Sequence, residues 1–329
     1  PMFNYHPSLI NHLLDSGVDV VSTANNHSLD RWSLGVDRTI EALEDAGLAF
    51  TGTRQAGDTD QPWYTIVERK GFRLAFLACT DATNGIPDRK DQVRYCGEHA
   101  DDIMADVRAL APQVDAAVVT PHWGVEYAAS PNNNQVKFAH RLLDAGATLV
   151  LGSHPHVLEP WERYVTTDGR ETFVIYSLGN FVSGQKHLAR QSTLLLYVGL
   201  TRDSNGKVVI NGARYVPLHM TTFSDSYMSL EVIDRIGGHA DSRKLTVDMF
   251  DPWNVHDPDA ILDTDPQCDP TWEPPASPHP HDGWIGGSCA TDDACGGAQC
   301  FTTLPDGLCS QWCDTVCPDR AGRAVTFCT

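Results

Sequence analysis

The sequence predicts an α/β sandwich, with sheets flanked by helices, in preference to a purely parallel sheet. Three observations carry this expectation. Short apolar runs such as Val18–Ser22, Ala116–Thr120 and Thr148–Leu151 are too short for helices and too continuous for half-exposed strands. The segments Leu-Leu-Asp-Ser-Gly17, Leu-Glu-Asp-Ala-Gly47 and Leu-Leu-Asp-Ala-Gly146 each close an amphipathic stretch with a glycine, the grammar of a helix running into a strand. Later in the chain, Lys70-Gly71 and Asn205-Gly206 sit between strand-like runs and read as hairpin turns.

Taken in order, Pro7–Gly17 is a short helix with apolar residues at 9, 10, 13 and 14, and Val18–Ser22 is a buried strand. Leu34–Gly47 repeats the pattern, with Ile40, Leu43 and Ala46 on one face. Gln135–Gly146 repeats it again, entered through Pro131 and Asn132 to Asn134 and followed by the strand Thr148–Leu151. The irregular spacing of these units excludes a solenoid repeat. Further strands are expected at Trp63–Glu68, Arg73–Cys79, Phe173–Ser177, Thr193–Leu200 and Lys207–Val216. Residues 251–283, rich in Pro, Asp and His and without periodicity, read as an acidic linker. The expected organisation is therefore a main domain over 1–250, the linker over 251–283, and a cysteine-rich module over 284–329.

Charge and cysteine content bound the function. The net charge of −19 over 329 residues argues against nucleic acid or anionic membrane as a nonspecific partner. Residues 251–329 hold thirteen carboxylates against only Arg320 and Arg323, so this acidic region is compositionally separate. Seven of the ten cysteines lie between Cys289 and Cys328, with Cys268 just before them. Without a CxxC pair, this density reads as disulfides formed in an oxidising compartment before it reads as zinc. Cys79 and Cys96 either form a further bridge or remain buried thiols. No signal peptide is present, and no apolar run is long enough to span a membrane. The chain starts at Pro1, and an upstream segment carrying an export signal is expected.

The chemistry gathers where strands end. Val18–Ser22 runs into Thr23-Ala-Asn-Asn-His-Ser-Leu-Asp30 and Ala116–Thr120 into Pro121-His-Trp-Gly-Val-Glu-Tyr127. Thr148–Leu151 runs into Gly152-Ser-His-Pro-His156 and Phe173–Ser177 into Leu178-Gly-Asn-Phe181. Ligands of α/β sheets bind at the carboxyl ends of strands, so these clusters are expected to converge. Pro155 is expected to keep the His-Pro-His turn extended, so that His154 and His156 leave on one side. Neutral imidazoles and an amide oxygen suit a divalent ion such as Zn, Mn or Fe. Asn26, His122, His154 and His156 are the candidate ligands. His27 is the candidate general acid for a leaving alkoxide. Asp30 and Glu126 either orient imidazoles or serve as capping and surface carboxylates. Asn25 and Asn180 either face the substrate or stabilise backbone turns.

The motifs Asp19–Asp30, His122-Trp-Gly-Val-Glu-Tyr127, Gly152-Ser-His-Pro-His156 and Tyr176-Ser-Leu-Gly-Asn-Phe181 closely resemble those of the CapA-type capsule-synthesis proteins. These form the poly-γ-glutamate branch of the calcineurin-like metallophosphoesterase superfamily. The resemblance covers roughly residues 3–220 and leaves out the linker and the cysteine module. It implies a metallophosphoesterase-like two-sheet sandwich flanked by helices with a dimetal site. Asn26, His122 and His154 would serve one ion, His156 the other, and His27 would be the catalytic histidine. It also implies an extracytoplasmic bacterial protein acting on an extracellular polymer or a phosphoester.

The superfamily's N-terminal strand and its bridging acidic residue have no counterpart here, and no Asp-x-His occurs in the chain. The sandwich is therefore expected to lack its first strand, with His156 left unpaired beside a vacant space. Glu159 stands where the family often has Gln. The leading expectation is a metal-dependent hydrolase in capsule or other surface-polymer biosynthesis, holding two divalent ions when full length. The alternative is a noncatalytic surface scaffold that binds or anchors a polymer. Membrane or cell-wall association would come through an upstream segment or the cysteine module.

Overall fold

The computed structural model describes residues 2–203, 206–224, 227–259, 291, 299–301 and 308–310. It divides into two compact units, Pro1–Leu194 with His219–Glu231, and Leu195–Leu218 with Val232–Thr329.

The first unit opens with α1 (Leu9–Asp15), β1 (Val20–Ser22), α2 (Trp32–Ala46) and β2 (Ala49–Thr51). Gly47 closes α2 in the left-handed conformation, as its place in the sequence predicts. β1 and β2 pair in parallel, Val20 opposite Ala49. Then come β3 (Tyr64–Arg69), β4 (Phe72–Thr80), α3 (Ala100–Leu110), β5 (Ala116–His122), α4 (Asn133–Ala145), β6 (Leu149–Leu151), β7 (Leu158–Val165), β8 (Glu171–Leu178) and α5 (Leu188–Gln191). Their strands form one six-stranded sheet in the order β3-β4-β5-β6-β8-β7. The inner four are parallel, with β3 and β7 antiparallel at the edges.

That topology explains the unbroken apolar runs. An inner parallel strand is covered on both faces, so Ala116 to Val119 and Phe173 to Tyr176 are all buried. The core joins Val107, Val119, Leu142, Leu143, Val150 and Val174, all fully buried. α4 begins with a reciprocal cap: Asn132 Oδ1 accepts from the Gln135 N–H at 3.1 Å, and Gln135 Oε1 accepts from the Asn132 N–H at 2.9 Å. Cys79 and Cys96 form a disulfide, settling the choice left open by the sequence.

Gly52 shows how β2 reaches β4. A Cβ there would stand 2.6 Å from that of Ala24 and 2.9 Å from that of Ala78, and its φ is +103°. Only glycine accepts both the backbone angle and the approach.

The chain continues through β9 (Ser192–Arg202), β10 (Val208–Ser224), β11 (Tyr227–Val232), α6 (Ile233–Ile236) and α7 (Ala240–Phe250), with the strands in a second sheet ordered β11-β10-β9. Within the second unit Tyr215 packs on Phe250 at 5.6 Å, and its hydroxyl donates to the Asp251 carbonyl at 2.8 Å. The first residues of the expected linker continue this packing, since His256 is buried and Val255 bridges Tyr215. Residues 260–283 lie outside the described residues. So does most of the expected cysteine module, apart from the ladder of β12 (Gln299–Phe301) and β13 (Leu308–Ser310). There Cys300 faces Cys309 and is disulfide-bonded.

Candidate functional site

The parallel strands β1, β4, β5, β6 and β8 deliver polar loops at their carboxyl ends, where such sheets bind ligands. His122 is the last residue of β5 and lies at the centre. Its Nε2 stands 3.1 Å from Asn26 Oδ1 and 3.2 Å from His154 Nδ1. Its Nδ1 lies 3.0 Å from Ser153 Oγ, which itself reaches the Pro121 carbonyl. If Nδ1 carries the proton and donates to Ser153, the Nε2 lone pair faces the other two donors. Burial, then the neighbouring His154, His156 and His27, hold the His122 pKa down at about 3, so the ring is neutral. Burial also lowers His154, while Glu126 and Asp81 pull it the other way.

These separations allow a test of metal fit. Ligands at about 2.0–2.1 Å around a tetrahedral ion stand about 3.3 Å apart. His122 stands close to that spacing from both Asn26 and His154, which offers one amide oxygen and two imidazoles. Among the described residues no group of three or more His, Cys, Asp and Glu side chains is placed to hold a metal. The trio reaches three donors only through an amide, and it accounts for one ion.

The His-Pro-His turn differs from its expected extended form. His154 has φ +102° and His156 φ +62°, so the pair does not share a side by strand alternation. The turn follows β6 immediately, and Gly152 sits where a Cβ would lie 2.0 Å from the Tyr176 carbonyl oxygen and 2.6 Å from Trp123 Nε1. Gly152 is held against β8 by its N–H on the Ile175 carbonyl and by the Leu178 N–H on its own carbonyl, and the positive φ values begin two residues later. The rings of His154 and His156 still end 6.0 Å apart. Nor is His156 unpaired. Its Nδ1 meets Asn180 Oδ1 at 2.9 Å, its Nε2 lies 4.0 Å from Glu126, and its ring stacks on Tyr127 at 5.8 Å.

On the other flank, His27 Nδ1 lies 2.9 Å from the buried Asp30 carboxylate. Asp30 also accepts from the Phe3 N–H at 2.6 Å, and the Phe3 ring meets His27 edge-on at 4.6 Å. Asn25 Oδ1 accepts from the His27 N–H at 2.8 Å, a local turn bond. The sequence reading passed over three residues here. Asn84 receives the Asn26 amide at 3.2 Å, and Asp81 accepts from the Gly124 N–H at 3.0 Å, its own pKa raised by burial. Both follow β4 and carry the signal used elsewhere, a polar cluster at a strand's carboxyl end. Arg190, on α5, had no such signal.

Beneath the turn, Glu159 on β7 is fully buried and accepts from Gln135 Nε2 at 2.7 Å. Burial pushes its carboxyl up to about 7.

The PGA biosynthesis protein CapA of Bacillus subtilis is 28% identical over 258 residues, covering 77% of this chain and 63% of that protein. The capsule biosynthesis protein CapA of Bacillus anthracis is 33% identical over 213 residues, covering 63% of this chain and 49% of that one. The chain thus spans about half to two thirds of the length of these relatives. The solved structure of Haemophilus influenzae NAD nucleotidase is similar at 14% identity and a TM-score of 0.42, covering 76% of this chain and 44% of that one. That likeness is too distant to inform the chemistry. Residues 1–185 match the family model described as bacterial capsule synthesis protein PGA_cap, and the chain belongs to that family.

Proposed function

We propose that the protein is a metal-dependent hydrolase of the phosphoesterase type, acting outside the cytoplasm in capsule or other surface-polymer metabolism. The observation that carries this is the convergence of Asn26 Oδ1 and His154 Nδ1 on His122 Nε2, each within hydrogen-bonding distance of it, beside a histidine paired with a buried carboxylate. Asn26, His122 and His154 would hold a divalent ion of the Mn, Fe or Zn kind, with His156 toward a second. Such an ion, when bound, supplies Lewis acidity to a phosphoryl or carbonyl oxygen.

The chain's own residues then do the following. Asp30 accepts from His27 Nδ1–H, which fixes the ring's orientation and leaves Nε2 facing the cluster. His27 Nε2 is then the atom that would give a proton to a leaving oxygen. Ser153 orients His122, and Asn180 and Glu126 flank His156. The Cys79–Cys96 bridge supports an oxidising, extracytoplasmic setting. Among the described residues no helix is long and apolar enough to cross a membrane.

The test is metal analysis with single variants. His27→Ala should lower turnover of a phosphoester by about 100-fold or more while retaining the ion. His122→Ala should lose the ion. A wild-type protein that binds no divalent ion ends the hydrolase reading. The scaffold reading would then take its place.

A further inference from the structure

The rim beside His156 holds a cation that the chemistry described so far does not use. The Arg190 guanidinium lies over the Tyr127 ring at 3.7 Å, and the same ring stacks on His156 at 5.8 Å. The same arginine is tied to His156 by a second route. Its carbonyl accepts from Asn180 Nδ2 at 3.0 Å, and Asn180 Oδ1 meets His156 Nδ1. Stacking occupies the flat face of a guanidinium and leaves its in-plane N–H donors available. Among the described residues, those donors meet no carboxylate and no carbonyl. In a chain with 43 carboxylates against 24 lysines and arginines, a half-buried arginine without an acidic partner calls for an anion from elsewhere. The loops that bring it there also expose Val125, Phe181, Val182 and Leu188. An apolar surround weakens the competition of water for a charged hydrogen bond.

We propose that Arg190, held on Tyr127, is an oxyanion subsite that binds a phosphate or carboxylate group of the substrate beside His156. This rests on the hydrolase reading and narrows it to a substrate carrying an anionic group on the His156 side of the cluster. The planar fork suits two oxygens at once, which a lysine cannot match.

The experiment uses the full chain as wild type, Arg190→Gln, Arg190→Lys and Arg141→Gln. The last removes an equal charge from an exposed ion pair with Asp101 on another face. Inorganic phosphate and a γ-linked glutamate oligomer are titrated by calorimetry at fixed low salt, with Mn2+ and again with chelator. At least one probe should bind the wild type. Arg190→Gln should weaken that probe tenfold or more, Arg190→Lys should recover part of the loss, and Arg141→Gln should change nothing. The probe that responds identifies the source of the oxyanion, phosphoester or polycarboxylate. With a phosphoester substrate, Arg190→Gln should raise KM more than it lowers kcat. Neither probe binding, or equal binding by wild type and Arg190→Gln, overturns the subsite. Arg190-dependent binding in a protein that holds no metal and turns nothing over would keep the subsite and sink the hydrolase. Turnover with a normal KM in Arg190→Gln would do the reverse.

Discussion

Glu159 offers the sharpest test of how the core beneath the site is built. Its carboxyl is fully buried, accepts one hydrogen bond from Gln135, and leaves Oε1 without a protein partner. Burial raises its pKa from 4.5 to about 7, and the Gln135 bond offsets only part of that rise. Below pH 4.5 both folded and unfolded chains hold the proton, so the group contributes no pH dependence. Between 4.5 and 7 the unfolded chain releases it while the folded chain keeps it, and stability falls as pH rises. Above 7 both forms are ionised and the loss levels off. At about 1.4 kcal/mol per pH unit the window amounts to about 3 kcal/mol. Glu159→Gln keeps an acceptor for Gln135 and cannot ionise. The variant should therefore match the wild type at pH 4.5 and exceed it by about 3 kcal/mol at pH 8, roughly 6–12 °C in thermal midpoint. Calorimetric melts of both proteins from pH 4.5 to 8.5 measure the difference directly. The other carboxylates cancel in that difference. Parallel curves, or a variant less stable at pH 8, would refute the account of a neutral buried acid.

Two further perturbations test the frame that holds the site. Gly152→Ala would drive a methyl into the Tyr176 carbonyl and the Trp123 Nε1–H that bonds to it at 2.9 Å. A loss of about 3 kcal/mol or more in denaturant unfolding is expected, from overpacking and a strained buried bond together. The Cys79–Cys96 bridge spans 17 residues, and removing it as Cys79→Ala with Cys96→Ala should lower stability by about 3 kcal/mol. An unchanged midpoint under reducing agent would show that the bridge contributes nothing.

Much of the fold was readable because its inner strands are parallel and covered on both faces. Ala116 to Val119 and Phe173 to Tyr176 are continuous apolar runs for that reason alone. Helices closed by Gly47 and Gly146 were readable because a residue after the last turn must often take a positive φ. The elements that went unread are those whose pattern is compromised. β7 carries Glu159, Glu162 and Arg163 within eight residues, because Glu159 turns inward while the other two pair with His140 and Glu171. β2 has only three residues and hides behind the helix signal of Gly47. α3, with Asp101 and Asp102 exposed and Asp106 half-buried against Arg94, looks polar until Ile103, Met104, Val107 and Leu110 are seen to be buried together.

The site was legible in a different way, by residue type and position but not by geometry. Placing His and Asn at strand ends needs only the topology, and Asn26, His122 and His154 converge as that logic requires. The backbone between them does not follow from the sequence. Proline disfavours the helical region for the residue before it, yet that leaves several conformations open, and an extended one is merely the commonest. At His154 and His156 the backbone takes positive φ instead, a choice that costs of order 1–3 kcal/mol at each non-glycine residue. Such strain persists only where the surroundings enforce it. Here they are Gly152 packed against Tyr176, the Ser153 N–H on the Pro121 carbonyl, and the Tyr127 N–H on the Pro155 carbonyl at 2.7 Å. Each joins this turn to a segment distant in sequence, so no reading of Gly152–His156 alone could supply it. The same long-range bonds bring Tyr127 against His156, and with it Arg190. A motif thus fixed which side chains meet, while contacts outside the motif fixed which face of His156 a substrate anion could approach.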